Sequence, residues 1–145
     1  MQHAEHTVTI SRAPQEVFDY LADGTHNREW RAGVVEIRRT SADDGQGATY
    51  RQVMAAPGGA RIDGDYQITV FDPPRRLEFR VTAGPARPAG VFELRPNADG
   101  STRVLFSLDL EPAGVMRLMT PVIAMELRRE VAQLDRLKAV LERTP

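Results

Sequence analysis

The chain has 145 residues and a formal net charge of −1, from 19 basic and 20 acidic side chains. A charge so close to zero argues against the broad basic surface that binds nucleic acid or an anionic membrane. Cysteine is absent, which excludes thiol catalysis, disulfide bonds and cysteine-ligated metals and suits a reducing cytoplasm.

The first strand and two short helices are predicted from the N-terminal thirty residues. Residues 6–11 alternate in the period of a strand and place Val8 and Ile10 on one face. Pro14 suits the first position of a helix, and the apolar residues that follow it at helical spacing are expected to face the core. Residues 23–30 have room for only a short second helix, with Trp30 as its anchor.

Six strand-like runs follow, separated by turn sequences rich in Gly, Pro, Asn and Asp. This pattern predicts an antiparallel meander in which each run presents one apolar face. The runs cover residues 34–40, 48–54, 62–71, 77–82, 90–94 and 102–110.

A long amphipathic helix is predicted for the C-terminal third. Spacing of about 100° per residue gathers an apolar stripe made of Met116, Met119, Ile123, Leu127, Val131, Leu134, Leu137 and Leu141. Pro121 lies inside this pattern, so we expect a kink or break near Thr120. Glu130 falls within the stripe, although a modest bend of the helix would move it to the boundary.

Together these elements predict an α+β protein with a seven-stranded curved antiparallel sheet, two short helices and a long C-terminal helix over an internal cavity. The sheet is expected to curl because strands twist, and one helix does not fill its concave face. We find no linker, repeat, signal peptide or apolar stretch long enough to span a bilayer. We therefore expect a single domain over residues 1–145, cytoplasmic and without stable membrane insertion, whose oligomeric state stays open.

Several sequence segments resemble one superfamily. One of them is residues 9–23, a strand that passes through an Ala-Pro pair into a helix. The others are Trp30, Gly47, Tyr50 and the segments 73–77, 100–102 and 134–142. All are similar to the superfamily of START, polyketide cyclase and birch-pollen-allergen-like (Bet v 1-like) proteins, abbreviated SRPBCC. The likeness is to its polyketide cyclase/dehydrase and lipid-transport branch. It implies a helix-grip fold with a ligand pocket, whereas the functions of the superfamily range from lipid carriage to aromatic polyketide cyclisation.

Candidate pocket residues are the inward positions of the strands and of the helix. Methionine provides an adaptable apolar lining, and a tyrosine or glutamine tip can orient a ligand oxygen. The candidates are Tyr50, Gln52, Met54, Ile62, Tyr66, Phe79, Phe92, Phe106, Met116, Met119, Ile123, Leu127 and Glu130. Each has an ordinary alternative: core filling for the methionines, a solvent-facing hydroxyl for the tyrosines, and a solvated boundary for Glu130.

Catalytic residues are not assigned by the sequence. His3, His6 and His26 are too scattered to suggest a metal site, and we expect neither a metal nor a cofactor. His26 borders the cavity mouth in the resembled family, but a solvated surface position is the favoured interpretation.

Three functions are compatible with the sequence. The leading hypothesis is binding or transport of a small hydrophobic ligand such as a lipid, isoprenoid or polyketide. The second is a cyclase or dehydratase in which Tyr66, Tyr50, Glu130 or His26 moves protons. The third is a protein-interaction module, which predicts an exposed apolar patch in place of a deep cavity.

Overall fold

The computed structural model describes residues 1–143, apart from the side chain of Pro57. The strands are β1 (Gln2–Ile10), β2 (Val34–Arg39), β3 (Thr49–Ala55), β4 (Arg61–Asp63), β5 (Tyr66–Asp72), β6 (Arg76–Val81), β7 (Ala89–Pro96) and β8 (Thr102–Leu110). The α-helices are α1 (Pro14–Ala22), α2 (Asn27–Trp30), α3 (Thr120–Ala132) and α4 (Leu134–Arg143). Short 3₁₀ helices cover Gly24–His26, Pro57–Gly59 and Gly114–Met119.

The strands form one curled antiparallel sheet in the order β1-β8-β7-β6-β5-β3-β2, and β4 pairs with β3 beside this path. The concave face carries the apolar face predicted for β8, where Val104, Phe106, Leu108 and Leu110 are all buried. Helices α3 and α4 cover this face. The predicted α+β helix-grip architecture is confirmed.

The sheet path has the seven strands expected, and one predicted strand is split in two, which adds the short strand β4 beside the path. The run 62–71 breaks at Gly64 and Asp65. The Gly64 amide donates to the Gln52 carbonyl at 2.8 Å, and the Asp65 carboxylate accepts from the Gln52 amide at 3.1 Å. Because the Asp65 carboxylate, and not a backbone carbonyl, accepts from the Gln52 backbone amide, the strand pairing is interrupted here. β4 and β5 therefore pair separately with β3.

The C-terminal segment has two breaks, of which one was predicted. Pro121 lies in the first turn of α3, so the α-helix begins at Thr120 and the residues before it form a 3₁₀ helix. The second break is at Gln133, which separates α3 from α4. The Gln133 side chain accepts a hydrogen bond from the Ala32 amide at 3.1 Å, which fixes this junction to the loop after α2.

The predicted apolar stripe is correct over α3 and α4 and wrong before them. Ile123, Leu127, Val131, Leu134, Leu137 and Leu141 are buried. Met119 is 49% exposed, so its predicted inward position is wrong, and Met116 is half-buried. The stripe assumed 100° per residue, whereas a 3₁₀ helix turns by about 120° per residue, which rotates these side chains away from the sheet.

Helix α4 is attached to the N-terminal strand by polar contacts at its exposed side. The Lys138 ammonium donates to the Thr9 carbonyl at 2.6 Å and to the Glu142 carboxylate at 2.8 Å. Glu142 also accepts from the Ser11 amide at 2.8 Å, and these bonds hold the pKa of its carboxyl below the ordinary value. The contacts fix α4 in register with the end of β1.

Candidate ligand-binding site

A small apolar pocket lies between the concave face of the sheet, α1 and α2; we call it the interior pocket. Its lining residues are Leu21, Asn27, Arg31, Tyr66, Ile68, Leu77, Phe79 and Phe92. The cavity volume is about 10 Å³, which is the space of a single water molecule. The sequence led us to expect an internal cavity that holds an apolar molecule, and the space observed here is far smaller than that.

Packed aromatic rings explain the small volume. Phe79 lies between Tyr66 and Phe92, with ring centroids 5.5 Å and 6.0 Å away. Trp30 places the edge of its ring against Phe92 and Phe106 at 6.1 Å and 6.0 Å. These edge-on and offset contacts are the arrangements that aromatic quadrupoles favour, so the rings occupy the centre of the concave face.

Two glycines allow this packing because a side chain at either position would overlap a ring. A methyl group on Gly90 would collide with the ring of Phe79, its cross-strand neighbour. A methyl group on Gly24 would overlap the hydroxyl of Tyr66 and come within 2.8 Å of the Tyr50 ring. Gly24 therefore sets how closely the end of α1 approaches the two tyrosines.

One end of the interior pocket is polar. The Asn27 side-chain amide donates to the Gln52 side-chain oxygen at 3.1 Å and to the Tyr66 hydroxyl at 3.2 Å, and Gln52 donates onward to the Gly64 carbonyl at 3.3 Å. Burial raises the pKa of Tyr66, so its hydroxyl is protonated at neutral pH. Since that hydroxyl accepts from Asn27, its own proton is left to donate to a second partner.

Tyr50 supports Tyr66 from behind. The two rings stack with centroids 5.0 Å apart and planes 14° apart. The Tyr50 hydroxyl donates to the Ala22 carbonyl at 3.4 Å, and burial raises its pKa. Tyr50 therefore holds the ring of Tyr66 in place and does not itself line the pocket.

A buried arginine completes the polar end. The guanidinium of Arg31 donates from Nη2 to the Glu130 carboxylate at 2.9 Å and lies against the Trp30 ring, 5.9 Å from its centroid. The Arg31 side chain is 10% exposed and the Glu130 side chain 27% exposed. Glu130 thus lies at the boundary of the helix stripe, which was one of the two positions expected for it.

Besides Glu130 at the helix boundary and the exposed Met119, the predicted site residues fall into three groups. Tyr66, Phe79 and Phe92 line the interior pocket. Buried nearby in the core or polar cluster are Tyr50, Gln52, Phe106, Ile123 and Leu127, with Met116 half-buried against the core. Met54 is half-buried between Gly33 and Gly64, whereas Ile62 is 37% exposed, so the inward position predicted for Ile62 is wrong.

Sequence reasoning missed Asn27 and Arg31. Both belong to the short α2 region, and the signal was their spacing: residues four apart on a helix share a face, and Trp30 between them was already expected to point inward. A buried anchor therefore brings its polar neighbours into the core.

His26 lies outside the interior pocket. Its Nδ1 contacts the Tyr20 carbonyl at 2.8 Å, and its ring stacks on that of Tyr20 with centroids 4.2 Å apart. The Tyr20 hydroxyl in turn donates to Glu29. These contacts give His26 a structural position between α1 and α2.

The segment before and at the start of α3 exposes large apolar side chains. They are Val115, Leu118, Met119, Val122 and Met125. No residue of the described segment Gly114–Met119 is buried.

Within residues 1–143, none of the helices combines the length and apolar character required to cross a bilayer.

A curled antiparallel sheet gripping a C-terminal helix, with a pocket that is apolar at one end and polar at the other, defines a helix-grip protein of the SRPBCC type. A family model described as polyketide cyclase / dehydrase and lipid transport matches residues 1–142. The chain belongs to this family.

Comparisons with individual proteins agree with this assignment. An uncharacterized protein of Mycobacterium tuberculosis is 28% identical over 138 residues, 90% of this chain and 80% of the relative. A START superfamily protein of Mycobacterium smegmatis superposes with a TM-score of 0.81 at 12% identity over 100% of both chains. The Zhui aromatase/cyclase of a Streptomyces species gives a TM-score of 0.75 at 20% identity over 98% of this chain and 94% of its own. These structural likenesses establish the fold.

Proposed function

We propose that the protein binds a small, largely apolar molecule, such as a lipid, isoprenoid or polyketide, in the interior pocket. The observation that carries the proposal is the lining itself, where Ile68, Leu77, Phe79 and Phe92 face the polar group of Asn27, Arg31 and Tyr66. Binding sites for small molecules combine a mainly apolar wall with a few converging polar groups. Membership of a family that includes lipid transport supports the same function.

Binding requires the pocket to enlarge, because about 10 Å³ holds no organic molecule. The segment Gly114–Met119 is the element best suited to move. None of its residues is buried, and a 3₁₀ helix of this length is uncommon because its hydrogen bonds are poorly aligned. Moving this segment costs little buried apolar area, since Met116 is its one residue that packs against the core.

Titration with uncharged apolar probes tests the proposal. Dodecan-1-ol, farnesol and 1-naphthol represent the three ligand classes, and the fluorescence of Trp30, the only tryptophan, reports changes beside the pocket. Calorimetry of any bound probe is expected to show a negative heat-capacity change. Phe92→Leu enlarges the pocket and is expected to strengthen binding.

Met125→Ser is the matched control, because Met125 is exposed, lies outside Gly114–Met119 and belongs to the surface that the protein-interaction hypothesis requires. Its probe affinity is expected to equal that of the wild type. The proposal is wrong if no probe binds, or if Met125→Ser weakens binding while Phe92→Leu changes nothing.

One observation favours a second candidate, the cyclase or dehydratase: Arg31 and Tyr66 both reach the polar end of the pocket. A guanidinium and a protonated tyrosine stabilise the oxygen of an enolate. In this scheme the Glu130 carboxylate takes the α-proton of a poly-β-ketone, and the resulting carbanion attacks a second carbonyl of the same chain to form the ring. The oxygen of that carbonyl, which receives a hydrogen bond from Tyr66, takes up the proton from Glu130 and becomes a hydroxyl. A variant with both Tyr66→Phe and Glu130→Gln that keeps full turnover of a poly-β-ketone thioester would exclude it.

A further inference from the structure

Arg31 has an unused hydrogen-bond donor inside the protein. Its Nη2 donates to Glu130, but its Nε is buried without a hydrogen-bond partner among the described residues. Nε and Nη2 lie along one edge of the guanidinium, and in a bidentate pair this edge donates to both oxygens of a carboxylate. Glu130 accepts from only one of the two donors on that edge.

The two members of the ion pair differ in their access to water. The Arg31 side chain is 10% exposed and lines the interior pocket, whereas the Glu130 side chain is 27% exposed at the edge of α3. Glu130 can therefore turn toward solvent at small cost. Arg31 is buried and cannot follow it, and a buried cation requires an anionic partner, so Arg31 needs a second anion once Glu130 has turned away.

The surroundings of Arg31 specify the rest of such a partner. The Tyr66 hydroxyl, which accepts from Asn27 and keeps its own proton to donate, provides a further donor at the same end of the pocket. The wall beyond it is made of Ile68, Leu77, Phe79 and Phe92. This arrangement fits a molecule with one oxyanion at its end and an apolar body.

We propose that the ligand is an apolar carboxylic acid and that its carboxylate takes the place of Glu130 on Arg31. The inference rests on the proposed ligand site and adds the chemical class of the ligand. Glu130 then acts as an internal substitute that neutralises Arg31 while the pocket is empty. The Glu130 carboxylate leaves Arg31 when the ligand carboxylate binds to it, so that Arg31 exchanges one anionic partner for another.

Calorimetric titration with dodecanoate, methyl dodecanoate and dodecan-1-ol tests the exchange at about pH 8, where the acid is ionised. We expect the wild type to bind dodecanoate about tenfold more tightly than the ester, the effect of charge-assisted hydrogen bonds. In Arg31→Met the affinities for dodecanoate and methyl dodecanoate are expected to differ by no more than about twofold. In Arg31→Lys, which keeps the charge but loses the two-donor edge, they are expected to differ by no more than about threefold.

Glu130→Gln separates this proposal from a general effect of charge. It removes the internal competitor, so dodecanoate is expected to bind about threefold more tightly while the ester affinity is unchanged. Arg129→Met is the matched control, because Arg129 forms an ion pair with Glu126 at 3.1 Å on the exposed side of the same helix. It is expected to change neither affinity. Circular dichroism verifies that each variant is folded.

The outcomes distinguish the two proposals. If the ester and the alcohol bind but dodecanoate has no advantage, or if its advantage survives in both Arg31→Lys and Arg31→Met, the carboxylate proposal is wrong and the ligand site stands. If Glu130→Gln weakens dodecanoate binding, Glu130 is not a competitor and the exchange is wrong. If none of the three probes binds, the ligand site itself is wrong.

Discussion

The rings of Phe92 and Phe106 stack with centroids 4.4 Å apart and planes 18° apart. The two residues are direct cross-strand partners on β7 and β8, and Phe106 is fully buried. Their stack lies under Trp30 in the centre of the concave face. The interior is therefore filled by rings that two neighbouring strands supply in register.

Removing one of these rings is expected to open the interior. Phe106→Ala should lower the free energy of unfolding by about 3–5 kcal/mol, the sum of lost burial and of the cavity that remains. The variant should also bind benzene, as dry apolar cavities do. Urea denaturation and a benzene-dependent rise in Tm measure both effects. Phe71→Ala, at a half-buried ring, is the control and should cost less and bind no benzene.

The bonds of Asn27 are expected to contribute measurably to stability. Asn27→Ala leaves the buried Gln52 oxygen without its donor and removes a bond to Tyr66. An unsatisfied buried acceptor costs about 1–3 kcal/mol, which urea denaturation should detect. Gln15→Ala removes an exposed bond to Asp19 and should change stability by less than about 0.5 kcal/mol. Equal effects of the two substitutions would show that the polar cluster is not tightly packed.

The positions of Leu137 and Val122 predict opposite responses to truncation. Leu137 on α4 is fully buried, so Leu137→Ala should cost about 2–5 kcal/mol. Val122 on α3 is 47% exposed, and Val122→Ala should cost less than about 0.5 kcal/mol. Thermal unfolding followed by circular dichroism compares the two. A large loss at Val122 would mean that this face of α3 is covered in solution.

A pH-dependent contribution is expected from His3 on β1. Hydrogen bonds to Asp109 and then to Glu5 raise the pKa of His3 above its ordinary value of 6.5. A raised pKa in the folded state means that the stabilisation is complete below pH 6.5 and is lost as the pH rises through the folded pKa. The contribution is small because the His3 side chain is 49% exposed.

Titration of the His3 ring by NMR measures this shift. Asp109→Asn should move the pKa of His3 back toward its ordinary value, and by more than Glu5→Gln does, because the bond to Asp109 is the larger cause. The stability difference between wild type and Asp109→Asn should be present in mild acid and absent in mild alkali. A difference that persists in alkali would point to a cause other than His3.

The sequence predicted most strands because their limits are local. Turn sequences such as that around Gly100 stop a strand wherever they occur, and alternation identified the buried face of β8 correctly. The split at Gly64 was missed because its cause is the contact of the Asp65 side chain with Gln52, a residue on another strand. The break at Gln133 is fixed in the same manner, through the Ala32 amide.

The candidate site was predicted less completely than the fold. Periodicity places Tyr66, Phe79 and Phe92 on the concave face, but it carries no information on how far their rings reach into the interior. Pocket volume depends on the packing of whole side chains, and the closeness of the rings here follows from missing side chains at Gly24 and Gly90. Arg31 was missed because an arginine is usually exposed, although its place next to the expected anchor Trp30 was the available signal.

Strand β1 pairs with β8 over its full length, from Gln2 opposite Leu110 to Ile10 opposite Thr102. During synthesis β1 leaves the ribosome before β8, and its backbone amides and carbonyls lack their partner strand until β8 has also emerged. Joining segments so distant along the chain carries a large loop-closure entropy, so this edge of the sheet forms late. The nascent chain must therefore keep β1 from pairing elsewhere until Leu110 has emerged.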